Sequence, residues 1–407
     1  MKKFVKVILA SATVAAALVS CTSNKAEGLD GVPELAGDRM EAGGTDYPYS
    51  EPSSQQGNAG QAGVVTAGEW NDLDHWDFWS NLAQNGFKDY ISSWGFNTEG
   101  RVAVRVTDEA GVPVCGVPVV LLDGSDAPLW RSRTDNYGKA ECWTSMFSDG
   151  ATSSLKLSVN GEVQEDEVKV SWLQEGESKV NEFTLSGAKA PEIAVDIAFI
   201  VDATGSMADE IDFLKQDITN IIDKVMQSQS GMKIRTGAIF YRDVSDEYLT
   251  VSSNFNEELG VTRKFIQAQG AEGGGDYPEA VHTALECSLQ ELSWNSSAHA
   301  RIAFMILDAP AHEDDAVKAS LHESISSYAQ AGIKLIPIAA SGVDKNTEAM
   351  LRLFSICTNS TYVFITNDSG VGGDHIEATV GDYEVEKLNE LIIRLINYYS
   401  KVVSTED

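Results

Sequence analysis

From residue 190 to residue 402 the chain repeats one pattern, an apolar run of strand length followed by a segment of helical period. The apolar runs lie at 193–201, 234–241, 301–307, 333–338 and 362–365. The helical patterns lie at 207–226, 278–292, 314–331, 347–357 and 385–402. Strands that are apolar along their whole length need both faces covered, and strands separated by helices pair in parallel. The pattern therefore predicts an α/β domain, with a mostly parallel sheet flanked by helices. Ligands on such sheets bind beyond the carboxyl ends of the strands. Asp202 and Asp308 both fall at such ends.

The first apolar run leads directly into Asp202-Ala203-Thr204-Gly205-Ser206. One carboxylate and two hydroxyls at alternate positions of a turn are hard oxygen ligands, suited to Mg²⁺, Mn²⁺ or Ca²⁺. Two further loops carry acids: Glu272-Gly273-Gly274-Gly275-Asp276-Tyr277-Pro278-Glu279, and Leu307-Asp308-Ala309-Pro310-Ala311-His312. The same residues also fit helix starts. Ser206 with Asp209, and Asp276 with Glu279, have capping-box spacing, with Pro278 in the first turn. Asp314 or Asp315 suits an N-cap. His312 reads as lying behind the ligands or simply exposed, Asp243 as structural and paired to Arg242, and Asp196 as a cap at a sheet edge.

The order of these three loops resembles the von Willebrand factor type A domain, a Rossmann-like fold, and its metal-ion-dependent adhesion site. The resemblance implies that Asp202, Thr204 and Ser206 form the first ligand loop and Asp308 the third. In the second loop much of the family supplies a threonine hydroxyl, and the nearest candidate here is Asp276. The Gly-Gly-Gly-Asp-x-Pro-Glu and Leu-Asp-Ala-Pro-x-His forms look like the branch found with alpha-kinases and in bacterial exported proteins. The implied cofactor is a divalent cation, Mg²⁺ first, with Ca²⁺ or Mn²⁺ as alternatives. Two carboxylates balance such an ion, whereas three leave the site net negative. That site holds its ion more tightly and attracts a partner's carboxylate less.

The chain begins with Met1-Lys2-Lys3, Lys6 and an apolar stretch, 7–19, too short to span a bilayer. The stretch ends in Leu18-Val19-Ser20-Cys21, which resembles the bacterial lipobox. This implies a lipoprotein signal peptide at 1–20 and a lipidated Cys21, hence a membrane anchor. Residues 21–66 read as the lipidated cysteine and a tether rich in Gly, Ser, Ala, Asn and Glu. Residues 67–96 form an aromatic-acidic segment with Trp70, Trp76, Trp79 and Trp94. It reads as a short helix latched onto a domain, or alternatively as a docking patch for a partner.

Residues 97–187 alternate with period two and break at Asp135-Asn136-Tyr137-Gly138 and Asn160-Gly161, which predicts a small β-sandwich. The stretches Val106-Thr107-Asp108-Glu109-Ala110-Gly111-Val112-Pro113-Val114 and Thr134-Asp135-Asn136-Tyr137-Gly138-Lys139-Ala140 resemble carboxypeptidase-regulatory-like (transthyretin-like) domains. Such domains serve as spacers or adhesive modules. Cys115 and Cys142 share this region, and an exported protein permits them to pair. Cys287 and Cys357, in helical patterns, read as small buried hydrophobes.

A net charge of −31, from 61 acidic against 30 basic residues, argues against binding nucleic acid or anionic lipid. The sequence reading is thus a lipid-anchored binding or adhesion protein, residing in the outer membrane and engaging a protein partner through a cation-bearing domain at 190–402. It is not read as an enzyme, because no trusted nucleophile triad, His-Glu-x-x-His or phosphate loop occurs. The alternatives are a scaffold that the cation merely stiffens, and a metal-dependent hydrolase.

Overall fold

In the computed structural model the described residues are 62–148, 154–187, 192–228 and 231–404. Cys21, the signal sequence and most of the tether lie outside them. Among the described residues no helix is long and apolar enough to cross a membrane.

The chain opens with strand β1 (Thr66–Trp70) and helices α1 (Trp76–Gln84) and α2 (Lys88–Ser93). Eight short strands follow: β2 (Gly100–Thr107), β3 (Pro118–Asp123), β4 (Pro128–Arg133), β5 (Lys139–Trp143), β6 (Leu155–Val159), β7 (Glu162–Val163), β8 (Ser171–Trp172) and β9 (Val180–Thr184). They form two sheets, β5-β2-β8 with β9 on β2, and β4-β3-β6-β7. Val102, Val104 and Val106 of β2, and Val119 and Leu121 of β3, are buried at alternate positions, as a two-sheet core requires.

The second half holds β10 (Glu192–Asp202), α3 (Ile211–Ser228), β11 (Lys233–Tyr241), β12 (Thr250–Asn256), α4 (Leu259–Gln267), α5 (Val281–Glu291), β13 (Ala298–Leu307), α6 (Asp315–Ala331), β14 (Lys334–Ala339), α7 (Lys345–Cys357), β15 (Tyr362–Ile365), β16 (Glu386–Lys387) and α8 (Leu388–Ser400). The sheet order is β12-β11-β10-β13-β14-β15-β1-β16. The five strands from β11 to β15 are mutually parallel, while β12 and β1 pair antiparallel. All ten residues of β13 are buried, as befits a central strand covered on both faces. The α/β class read from the sequence is therefore present, with β12 and α4 as elements the apolar pattern did not show.

The aromatic-acidic segment is part of this sheet and its core. Strand β1 slots between β15 and β16, and Trp70, Trp76, Trp79 and Trp94 are all buried. Asp72 receives Arg352 Nε of α7 at 2.8 Å, and both side chains are fully inaccessible. The docking-patch reading fails because these rings are already spent on the fold.

The sandwich is not a detached spacer. Lys334, first residue of β14, donates to Asp135 Oδ2 at 2.9 Å, and Asn136 Nδ2 donates to the Tyr398 and Lys401 carbonyls. These contacts lie at the amino ends of the parallel strands, so the sandwich sits beneath the sheet, opposite the carboxyl ends that carry Asp202 and Asp308. Cys115 and Cys142 do not pair. Cys142 is buried inside the sandwich against Ser132, whereas Cys115 points across the junction to the His299 carbonyl at 3.1 Å.

Candidate functional site

Strand β10 ends at Asp202, where the parallel sheet stops supplying partners and the chain must turn. Thr204 is extended (φ −73°, ψ 165°), and a short 3₁₀ turn, Gly205–Asp209, precedes α3. The turn lets three alternate side chains converge. Thr204 N–H and Thr204 Oγ1 donate to Asp202 Oδ1 at 2.9 and 2.7 Å, and the Thr204 and Ser206 hydroxyls lie 3.2 Å apart. Ser206 also hydrogen-bonds Asp308 at the end of β13. The structure thus brings together Asp202, Thr204, Ser206 and Asp308. No side chain caps the 3₁₀ turn or α5, so the capping readings of Ser206 and Asp276 do not apply. Asp314 does cap α6, accepting from Ala316 N and Val317 N.

The glycine loop closes over the first loop. Glu272 N donates to Ala203 O at 3.0 Å, and Gly205 N donates to Gly273 O at 3.1 Å. Gly273 has φ +81°, and a Cβ there would overlap the Asp246 carboxylate, which holds Gly274 N at 2.9 Å. Glycine is therefore demanded at this position by both conformation and space.

Of Asp276 and Glu279 in the glycine loop, Glu279 turns inward and Asp276 outward. Asp276 is exposed on the rim, while Glu279 is buried with its backbone pinned to the third loop through Glu279 N to Pro310 O at 2.8 Å. A Cβ on Gly274 would touch both Glu279 Oε1 and Thr204, which places this carboxylate beside the first loop. The glutamate was visible as the fourth residue of Asp-x-Pro-Glu. The aspartate draws attention instead because it is the nearest candidate to the position where much of the family supplies a threonine hydroxyl.

Electrostatics mark the three acids as one cluster. Burial, then the Asp308 charge, pushes Asp202 up to about 7. Burial pushes Asp308 up to about 6, with the Ser206 hydrogen bond opposing it. Burial, then Asp202 and Asp243, pushes Glu279 up to about 9. Asp202 Oδ2, Asp308 Oδ1 and Glu279 Oε2 are all buried without a hydrogen-bond partner. Buried acceptors left without donors are costly, and a divalent cation is one way to satisfy such oxygens. Among the described residues no three carboxylate, imidazole or thiol groups are close enough to hold an ion by themselves. The donor set that fits is mixed: Asp202 and Asp308 with the Thr204 and Ser206 hydroxyls, all hard oxygens suited to Mg²⁺, Ca²⁺ or Mn²⁺, with the Glu279 carboxylate beside them.

The residues around this cluster differ from the sequence reading. Asp243 pairs with His312 Nε2 at 2.9 Å rather than with Arg242, whose guanidinium instead stacks 4.3 Å over Tyr248. His312 is therefore tied, not loose. Asp196 lies fully buried within β10, paired to Arg235 at 2.7 and 2.8 Å, and accepts from Asn295 N. It ties strands together rather than capping an edge.

Residues 196–371 match the sequence model of the von Willebrand factor A domain. An ariadne-like RING finger protein of Acanthamoeba polyphaga mimivirus is 33% identical over 121 residues, 30% of this chain and 12% of that protein. Alpha-protein kinase vwkA of Dictyostelium discoideum is 31% identical over 135 residues, 32% of this chain and 20% of that protein. The chain thus spans a fifth or less of the length of these curated relatives. Two solved structures also overlap it. The conserved hypothetical protein BatB of Bacteroides thetaiotaomicron is 14% identical, with TM-score 0.35, over 51% of this chain and 98% of that one. An aerotolerance-related membrane protein of Bacteroides fragilis is 16% identical, with TM-score 0.32, over the same shares.

Proposed function

We propose that this chain, with its von Willebrand factor A domain, is a lipid-anchored extracytoplasmic binding protein. In this reading the domain holds a divalent cation and engages a protein partner at the carboxyl ends of its sheet. The observation that carries the reading is the gathering of Asp202, Thr204, Ser206 and Asp308 at the carboxyl ends of the sheet, with buried carboxylate oxygens left unpartnered. A bound divalent ion supplies positive charge that neutralises most of this cluster. The protein's own part is positioning. Thr204 orients Asp202 through two hydrogen bonds, the glycine loop lets Glu279 approach, and β13 presents Asp308. The sandwich beneath leaves that face free for a partner.

The test is capture from cell envelopes by the full chain in Mg²⁺ and in EDTA, beside an Asp202→Ala/Asp308→Ala variant. A partner retained only by the wild type in Mg²⁺ supports the reading. A partner indifferent to both changes supports the stiffened scaffold. Metabolic labelling with an alkyne fatty acid, lost in Cys21→Ser, tests the anchor. The Asp243–His312 pair beside the acids is the one feature that favours a hydrolase. Turnover on a hydrolase panel, abolished in Asp202→Ala, would establish that alternative, and we expect none.

A further inference from the structure

The face around the candidate cation carries more negative charge than the ion removes. Asp202 and Asp308 bring two carboxylates to balance the ion, and Glu279 stands beside them as a third acid. Around it stand Asp209, Asp246, Glu272 and Asp276. Asp209 ends the 3₁₀ turn that carries Ser206, Asp246 binds Gly274, and Glu272 binds Ala203 through its backbone. The basic side chains nearby are already engaged. Arg242 lies under Tyr248 and 3.8 Å from Glu272, His312 is held by Asp243, His375 by Glu210 at 2.8 Å, and Lys345 by Glu348 at 2.9 Å.

Two exposed apolar groups flank the same face. Tyr277 is 44% exposed, yet its hydroxyl is fixed, donating to Gly342 O at 3.2 Å and accepting from Asp344 N at 3.2 Å. It lies on the glycine loop, two residues before Glu279. Val244 is 66% exposed on the loop that Asp246 pins to the glycine segment. A fixed aromatic ring offers contact area at little entropic cost.

We propose that this face receives a basic segment of a protein partner, with a lysine or arginine against the acidic rim and an apolar neighbour against Tyr277 and Val244. This rests on the binding reading above and names its partner class. An acidic ligand approaching the cation would meet a field of like charge from the ligands and the rim together, which suppresses association.

The experiment uses the full chain in Mg²⁺, immobilised, with two synthetic peptide pools. The pools share leucine- and phenylalanine-containing flanks and differ only in a central arginine or a central aspartate. Calorimetry with Mg²⁺ is run on the same preparation. The arginine pool is expected to bind, and Glu272→Lys/Asp276→Lys to weaken it about tenfold while the Mg²⁺ heat persists. Preferential binding of the aspartate pool, binding of the arginine pool that ignores the charge reversals, or no binding of either pool overturns the proposal while the cation reading stands. An absent Mg²⁺ heat overturns both.

Discussion

Replacing Asp202 by asparagine separates the cost of the buried charge from its use. Asp202 is fully buried, and its Oδ1 accepts two bonds from Thr204 while its Oδ2 accepts none. Burial and Asp308 raise its carboxyl from 3.8 to about 7. A shift of about three units at roughly 1.4 kcal/mol each puts the ionised form about 4 kcal/mol uphill in the metal-free fold. The sign follows from linkage. The folded carboxyl binds its proton more tightly than the unfolded one, so the contribution is most favourable below pH 4 and is lost as pH rises towards 7. Asparagine keeps the acceptor for Thr204, cannot ionise, and places a donor among the unpartnered oxygens. In EDTA at pH 8, Asp202→Asn is therefore expected to raise the melting temperature, by about 2–4 °C for each kcal/mol recovered. At pH 4 the two proteins should melt together. Scanning calorimetry in EDTA at both pH values makes the comparison. A variant less stable than the wild type at pH 8, or a gap that does not change with pH, refutes the reasoning.

Further perturbations should act locally. Asp72→Ala removes the bidentate partner of the fully buried Arg352 guanidinium, leaving it Glu348 at 3.5 Å and the Thr379 carbonyl, and should cost about 3 kcal/mol in urea unfolding. Trp79→Ala empties a fully buried site where α1 packs and removes the bond from its indole to Thr98, so it should cost about 3–5 kcal/mol in the same assay. Gly273→Ala meets both a left-handed backbone and the Asp246 carboxylate, and should reduce the melting-temperature gain from Mg²⁺.

Much of the second half was legible because its physics is periodic. Strand β10 is apolar from Ala194 through Val201 apart from Asp196, and that one exception is answered by Arg235 across the sheet. The candidate ligands Asp202, Thr204, Ser206 and Asp308 were legible because hydroxyls and acids at strand ends have few other uses. Strand β12 escaped notice because Thr250–Asn256 is polar and lies at the sheet edge, where no second layer demands an apolar run. Strand β1 escaped because its partners, Tyr362–Ile365, lie almost 300 residues away, and pairing at that distance leaves no local pattern. The sequence reading points to Asp276, whereas the structure buries Glu279. Two acids three residues apart look alike in sequence, and only the bridge between Glu279 and Ala311 turns one of them inward.

The central claim is that Asp202, Thr204, Ser206 and Asp308 hold one divalent cation, with Glu279 beside them. Calorimetric titration of residues 22–407 with Mg²⁺, Ca²⁺ and Mn²⁺, beside Glu279→Gln and Asp202→Ala/Asp308→Ala, tests it most directly. The account predicts one ion bound by the wild type, weakened binding in Glu279→Gln, and none in the double variant. Binding that survives the double variant, or no binding by a folded wild-type chain, would contradict it.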